Sequence, residues 1–284
     1  MEERKVLTAL VTGASGGIGK AISERLAEDG LVVFGASRAP AGDHGAVHML
    51  AMDVRSDESV RGCVRKVMDI AGRIDVLVNN AGSLSVGAVE EMPIEFARAQ
   101  FETNFFGSVR MLKAVVPGMR ERGSGRIVNL TSLAGIVPLP FWGFYNASKA
   151  ALESLTETLR FELAPFGIHV SAVEPGAIRT RLYSAAAASA SSPAYAPWRR
   201  RFEERMKEFE LAAPGPEVVA DVVAALVRAR RPPLRTTVTK EAMLFTSFKR
   251  WAPASVFESL LRKGFRLDAD RPRREAPDAI RAVL

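Results

Sequence analysis

An α/β fold built on a doubly wound parallel sheet, with helices on both faces, follows from three observations. Short runs that are apolar on both faces, as buried parallel strands are, alternate with helical stretches of 10 or more residues. A glycine-rich turn separates the first of these runs from the first helix. The alternation continues without a linker to about residue 180, which predicts one domain around one core.

Residues 6–11 are an apolar run closed by Thr12-Gly13-Ala14-Ser15-Gly16-Gly17, and read as a buried strand ending in a turn. Over residues 17–28, Ile18, Ala21, Ile22 and Leu26 fall on one helical face. Strands are expected at 31–36 and 47–52, then an amphipathic helix at 57–71 and a strand at 74–78. A helix over 94–119, a strand at 126–130, a helix over 145–163 and a strand at 168–173 complete the regular part. Residues 184–192, rich in alanine and serine, read as either a helix or a mobile connector. Helices follow at 199–211 and 216–228, the second of them capped, then a last strand at 235–239 and short helical patterns at 241–251 and 253–265. The charged, proline-bearing stretch 268–277 reads as frayed or extended.

Composition narrows the function classes. One cysteine in 284 residues makes an internal disulfide impossible, and 48% hydrophobic residues describe an ordered chain. The net charge of +7 is uneven: residues 226–284 hold 14 basic and 6 acidic residues, whereas residues 1–225 hold 25 and 26. A basic tail could attract an anionic membrane or nucleic acid, but a solvated surface is the plainer reading, and no nucleic-acid-binding motif accompanies it. No run of 18 apolar residues predicts a spanning helix, and no secretory signal opens the chain, so a cytoplasmic protein is expected. His44, His48 and His169 are scattered with no cysteine in ligand spacing, so no metal site is expected.

Gly13, Gly17 and Gly19 lie between the first strand and first helix, where a tight reversal turns backbone N–H groups outward at the positive helix end. Missing Cβ atoms there permit the close approach of a pyrophosphate. Ser37 and Arg38 end the second strand, where a carboxylate would bind a free ribose diol. Arg38 instead suits a 2′-phosphate, which predicts NADP over NAD, with NAD still possible. Asp53 and Val54 follow the third strand and suit an adenine, although a plain helix or turn cap explains Asp53 nearly as well.

Tyr145 and Lys149 share a helix face, and an ammonium there would lower the phenol's pKa. Ser132 follows a strand on the same carboxyl edge as the glycine turn and residues 79–82, the edge where ligands of open α/β sheets bind.

These motifs, in this order, resemble the short-chain dehydrogenase/reductase family in its long-recognised form: Thr12-Gly13-Ala14-Ser15-Gly16-Gly17-Ile18-Gly19, Asp53-Val54, Asn79-Asn80-Ala81-Gly82, Asn104, Ser132, Tyr145-Asn146-Ala147-Ser148-Lys149, and Pro175-Gly176 with Thr180. The resemblance, over residues 5–239, implies a Rossmann-like sheet of seven parallel strands and hydride transfer between NAD(P) and an alcohol or carbonyl. It implies that Tyr145 is the general acid or base, that Lys149 tunes the phenol and binds the nicotinamide ribose, and that Ser132 holds the substrate oxygen. Asn104 matches the residue that braces a backbone carbonyl and a water leading to Lys149. Ser15, Ile18, Asn80, Ala81, Gly82, Pro175, Gly176, Ile178 and Thr180 fall at cofactor-contacting positions, while Asn79 reads as a sheet stabiliser. Gly16 departs from the Arg or Lys that many phosphate-preferring relatives carry, which leaves the NADP preference resting on Arg38.

The domain expected is thus residues 1–240, with a substrate lid at 181–211, followed by a basic helical extension and tail at 241–284. Apolar residues of the lid, with Leu139, Phe141 and Trp142, would line a pocket for a hydrophobic ketone, aldehyde or alcohol. Arg181, Arg199, Arg200 and Arg201 keep a carboxylate or carrier-linked substrate open, as in a 3-oxoacyl or polyketide ketoreductase. A dinucleotide-sensing module without turnover is the non-enzymatic alternative. The extension resembles that of relatives acting on steroids, retinoids or lipid-like alcohols, and its helix at 253–265 is expected over the pocket ahead of a membrane contact. The resemblance also implies a homodimer or homotetramer.

Overall fold

The computed structural model describes residues 6–188 and 192–267, so the stretch at 268–277 lies outside the described residues. In chain order the first half runs β1 (Thr8–Thr12), α1 (Gly17–Glu28), β2 (Val32–Ser37), β3 (Val47–Ala51), α2 (Asp57–Ala71), β4 (Val76–Asn79), β5 (Ser85–Val86), α3 (Ile94–Phe101), α4 (Gly107–Arg122) and β6 (Gly125–Leu130). The second half runs α5 (Gly143–Leu163), β7 (Ile168–Pro175), β8 (Ala187–Ala188), α6 (Ala196–Ala212), α7 (Glu217–Arg228), β9 (Arg235–Val238), α8 (Lys240–Trp251) and α9 (Ala254–Gly264).

Seven strands form one parallel sheet in the order β3-β2-β1-β4-β6-β7-β9. The central strands β1 and β4 are buried along their whole length, which is why their sequences show no polar alternation. Ile22 and Leu26 of α1 and Val219, Val223 and Val227 of α7 cover one face. Val60 and Val67 of α2, Met111, Val115 and Met119 of α4 and Leu163 of α5 cover the other. The winding direction reverses between β1 and β4, and that reversal opens a crevice at their carboxyl ends.

Local chemistry sets the helix limits. Ser56 caps α2 by accepting from the Ser59 N–H, and Gly72 ends it at φ +69°. Helix α7 starts behind Pro216 with no side-chain cap, contrary to the capped start expected. The single helix expected over 94–119 is three pieces, because a π-helical turn at Glu102–Phe106 separates α3 from α4. That turn accommodates one extra residue and sets Asn104 on the inner face, where it is fully buried. Residues 184–192 are neither helix nor free connector where described, since β8 pairs in parallel with β5 as a second, two-stranded sheet.

The C-terminal helices stand on the lid. Phe265, just beyond α9, packs on Phe202 and Phe209 of α6 with ring centroids 5.3 and 6.2 Å away. Phe257 of α9 meets Phe248 of α8 at 6.3 Å. Among the described residues, no helix is long and apolar enough to cross a membrane.

Candidate active site

A cleft of about 680 Å³ runs along the carboxyl ends of β1, β2, β4, β6 and β7. At one end lies the turn between β1 and α1. Gly13 and Gly17 sit there at φ +69° and +52°, a backbone region that disfavours any side chain. Thr12 fixes this turn to the next loop, its Oγ1 accepting from the N–H groups of Asn80 and Ala81 at 3.0 Å each. Asn80 Nδ2 donates back to the Thr12 carbonyl at 2.9 Å. Thr180 closes over the turn, 3.4 Å from where a Cβ on Gly17 would stand.

Gly19 has a different part from the one expected, because it does not line the cleft. A Cβ there would stand 2.3 Å from the Gly13 carbonyl oxygen and 2.4 Å from Asn80 Nδ2, so Gly19 lets α1 approach the turn from behind. Gly19→Ala is expected to cost roughly 1–3 kcal/mol of stability by overpacking a site with no room to relax. An unchanged urea midpoint would contradict that packing argument.

Beyond the turn, Ser37 Oγ is buried and has no hydrogen-bond partner among the described residues. Arg38 beside it is exposed and lines the cleft. Asp53 and Val54 line the same end, but the Asp53 carboxylate is held by Arg55 through Nε at 3.0 Å and Nη2 at 2.7 Å. The Arg55 hydrogen bond, with the charges of Arg55 and Arg38, keeps that carboxyl below its usual range despite partial burial. Arg55 escaped the sequence reading, though its position two residues after Asp53 in a loop was a usable sign.

At the other end stand Ser132, after β6, and Tyr145 and Lys149 on α5, all lining the cleft. Ser132 Oγ accepts from the Ala134 N–H at 3.1 Å, and the Ser132 side chain is hydrogen-bonded to Tyr145. Lys149 Nζ donates to the Leu130 carbonyl at 2.7 Å and lies 5.9 Å from the centre of the Tyr145 ring. The expected lowering of the phenol by Lys149 is not met among these groups. Burial pushes Tyr145 up, with the Ser132 bond offsetting part, and burial takes Lys149 down to about 8 while Glu153 opposes the fall.

Asn104 does not line the cleft. Its Oδ1 accepts from Ser83 N–H at 2.8 Å, and its Nδ2 donates to the Ser83 carbonyl and to Ser148 Oγ, each at 3.1 Å. It therefore braces the loop after β4 against α5. Asn79 joins the sheet core as expected, donating to Asn129 Oδ1 at 2.9 Å. Pro175, Gly176, Ile178 and Thr180 line the cleft wall that faces the glycine turn, together with Ser15, Ile18, Ala81 and Gly82 from the turn side.

The order of the sheet, the glycine turn at its reversal and the Ser132, Tyr145, Lys149 wall match one family along most of the chain. Residues 7–190 fit the model of the short chain dehydrogenase family. The chain is a short-chain dehydrogenase/reductase. This dehydrogenase is similar to the 3-ketodihydrosphingosine reductase of Bacteroides thetaiotaomicron, 37% identical over 89% of this chain and 96% of the relative. It is similar to human 17-beta-hydroxysteroid dehydrogenase type 1, 35% identical over 81% of this chain and 77% of the relative. A solved short chain dehydrogenase from Burkholderia cenocepacia, in complex with NADP, superposes with a TM-score of 0.73 at 26% identity, over 90% of this chain and 98% of that one.

Trp142, Leu182, Tyr183 and Met206 form the apolar end of the dehydrogenase's cleft. Other aromatic residues expected there pack beneath it: Phe202 is fully buried among Phe141, Trp142 and Phe265. No residue of α8 or α9 lines the cleft, so α9 supports the lid helix from outside and does not cover the pocket. Of the lid arginines, Arg181 lines the cleft and two others are engaged by glutamates. Arg199 forms a buried ion pair with Glu91, and Arg200 reaches Glu204 at 3.5 Å.

Proposed function

We propose that this dehydrogenase reduces a lipid-like ketone to its secondary alcohol with NADPH, Tyr145 delivering the proton. The convergence of Ser132, Tyr145 and Lys149 on one cleft with the Gly13–Gly17 turn carries the reading. The residues fit a dinucleotide, and Arg38 supports the phosphorylated form. The positive-φ glycines leave a cradle that a Cβ would strain, the Ser37 hydroxyl lacks a protein partner, and Arg38 stands next to it. When bound, the nicotinamide supplies the hydride.

Each polar group has a defined task. Ser132 donates to the carbonyl oxygen as negative charge gathers there, beside Tyr145. Tyr145 gives its proton to that oxygen, and burial favours the neutral phenol, the form that can donate near neutral pH. Lys149, held by the Leu130 carbonyl, places a cation beside the ring and would hold the nicotinamide ribose. Loss of reduced-nicotinamide absorbance with a panel of long-chain ketones is the direct assay, and failure to bind either dinucleotide would overturn the reading.

The substrate end favours an amphiphile. Glu210 lines the cleft one turn after Met206 and makes no ion pair among the described residues. Its field reaches the cleft-lining Tyr183, whose phenol is pushed up to about 12 by burial, then Glu203, then Glu210. A carboxylate at the end of an apolar cleft suits an ammonium close to the ketone, as in a long-chain amino ketone of the 3-ketodihydrosphingosine type. Glu210→Gln is expected to raise KM for that amino ketone about tenfold, the worth of one charge-assisted contact. A neutral ketone of equal length would change much less. Equal changes for the two substrates would remove Glu210 from substrate recognition.

A further inference from the structure

Behind the catalytic wall lies a cluster of charge that the reduction chemistry above does not use. Glu153 on α5 and Glu174 on β7 are almost fully buried, with side chains 6% and 1% exposed. Both reach the same atom, Arg235 Nε on β9, through Glu153 Oε2 at 3.3 Å and Glu174 Oε1 at 3.4 Å. Arg235 Nη2 is turned away to the half-exposed Glu157 on α5. Thr237 Oγ1 donates to Glu174 Oε2 at 2.6 Å, whereas Thr131 Oγ1, which also acts to lower the Glu153 carboxyl, gives its hydrogen to the Val173 carbonyl at 2.9 Å.

The donors do not suffice for two buried carboxylates. Arg235 Nε carries one hydrogen, and Glu153 Oε1 and Glu174 Oε1 have no hydrogen-bond partner. Burial without enough donors favours one carboxylic acid and one carboxylate, as in other buried carboxyl pairs. We propose that Glu153 and Glu174 hold one shared proton behind the active site, and that Glu153 is thereby a positioning residue for the charge on Lys149.

The placement supports the coupling. Glu153 follows Lys149 by one turn of α5, on the same face, and its charge acts on the Lys149 ammonium. The charged groups facing the pair are Lys149 and Glu157 from α5 and Arg235 from β9; Thr131 and Thr237 complete the shell. Burial drives both carboxyls up, and each is opposed by its threonine and by Arg235.

The two glutamates then have opposite effects. Glu153→Gln removes the negative charge near Lys149 and lowers the ammonium's proton affinity. Glu174→Gln leaves Glu153 as the sole buried carboxylate at Arg235 Nε, which localises the negative charge near Lys149 and raises that affinity. The catalytic consequence rests on the proposed use of the Lys149 cation, whereas the shared proton does not. The experiment therefore has two arms. Infrared spectroscopy of the intact protein at neutral pH is expected to show a buried protonated carboxyl band that disappears in both glutamine variants. The alkaline limb of the kcat/KM profile is expected to move down by about one pH unit in Glu153→Gln and up in Glu174→Gln. Absence of the band in the unmutated protein overturns the shared proton. A band with both limbs unmoved, or moved in the same direction, overturns the coupling to Lys149 and leaves the reduction chemistry standing.

Discussion

Tyr145→Phe is expected to lower kcat/KM for ketone reduction about a thousandfold, within the range that one positioned acid contributes, while dinucleotide affinity stays close to that of the parent. The substitution removes one oxygen from a residue only 5% exposed, so packing against Trp142, with ring centroids 5.5 Å apart, is kept. Ser132 loses a hydrogen-bond partner and keeps the Ala134 N–H. Lys149 keeps its bond to the Leu130 carbonyl, so the cation remains in place. The pH profile adds a second reading of the same residue. Burial holds the Tyr145 phenol above its ordinary value, so reduction should persist well above neutrality until the coupled Tyr145 and Lys149 protons are lost. Since burial takes Lys149 to about 8, the alkaline limb belongs to the pair and begins nearer that value than the free phenol's. Steady-state rates and fluorescence titration of the reduced dinucleotide separate the two effects. A Phe variant with parental turnover would remove Tyr145 from the chemistry.

Much of this arrangement was open to reading because strongly periodic, locally determined features carry it. The buried strands declare themselves by apolar runs, and α2 matches the expected 57–71, since Ser56 and Gly72 mark its ends. Three features were hidden for a common reason: each depends on a partner far along the chain. The π-helical turn at Asn104 is braced by Ser83 and Ser148, and nothing in residues 94–119 alone shows an extra residue in the turn. The β5 and β8 pairing joins two dipeptides about 100 residues apart, and a two-residue strand leaves no periodicity. Glu153 looks like a surface residue of a helix, yet Arg235, 82 residues later, draws it into the interior. The direction of the Tyr145 shift was hidden for a different reason: adjacency to Lys149 is visible in sequence, whereas burial of both side chains is not.

Arg38→Asp is expected to shift the ratio of kcat/KM for NADPH over NADH by about a hundred- to a thousandfold toward NADH, corresponding to roughly 3–4 kcal/mol. Two changes add at one position. The charge-assisted bonds that the proposed reading gives the guanidinium with a 2′-phosphate are lost, and the new carboxylate repels that phosphate while accepting from a ribose hydroxyl. The other cations near this end cannot easily stand in. Arg55 is engaged by Asp53 through both Nε and Nη2, and Lys20, farther along the turn, lies 3.7 Å from Glu24. Ser37 contributes a hydroxyl that suits either cofactor, so it does not mask the change. Asp53 provides an internal check: Arg38 is one of the charges that depress its carboxyl, so the substitution lets that pKa rise. The sign for pH follows, because a carboxyl held low keeps its ionised form down to a lower pH, and the variant should lose it at a higher one. Cofactor titrations at two ionic strengths give the decisive contrast, since a phosphate contact at an exposed arginine weakens with salt and a diol contact does not. A ratio unchanged within about threefold, less than one neutral hydrogen bond, would mean that the phosphate is held elsewhere and that Arg38 is only a solvated charge at the rim.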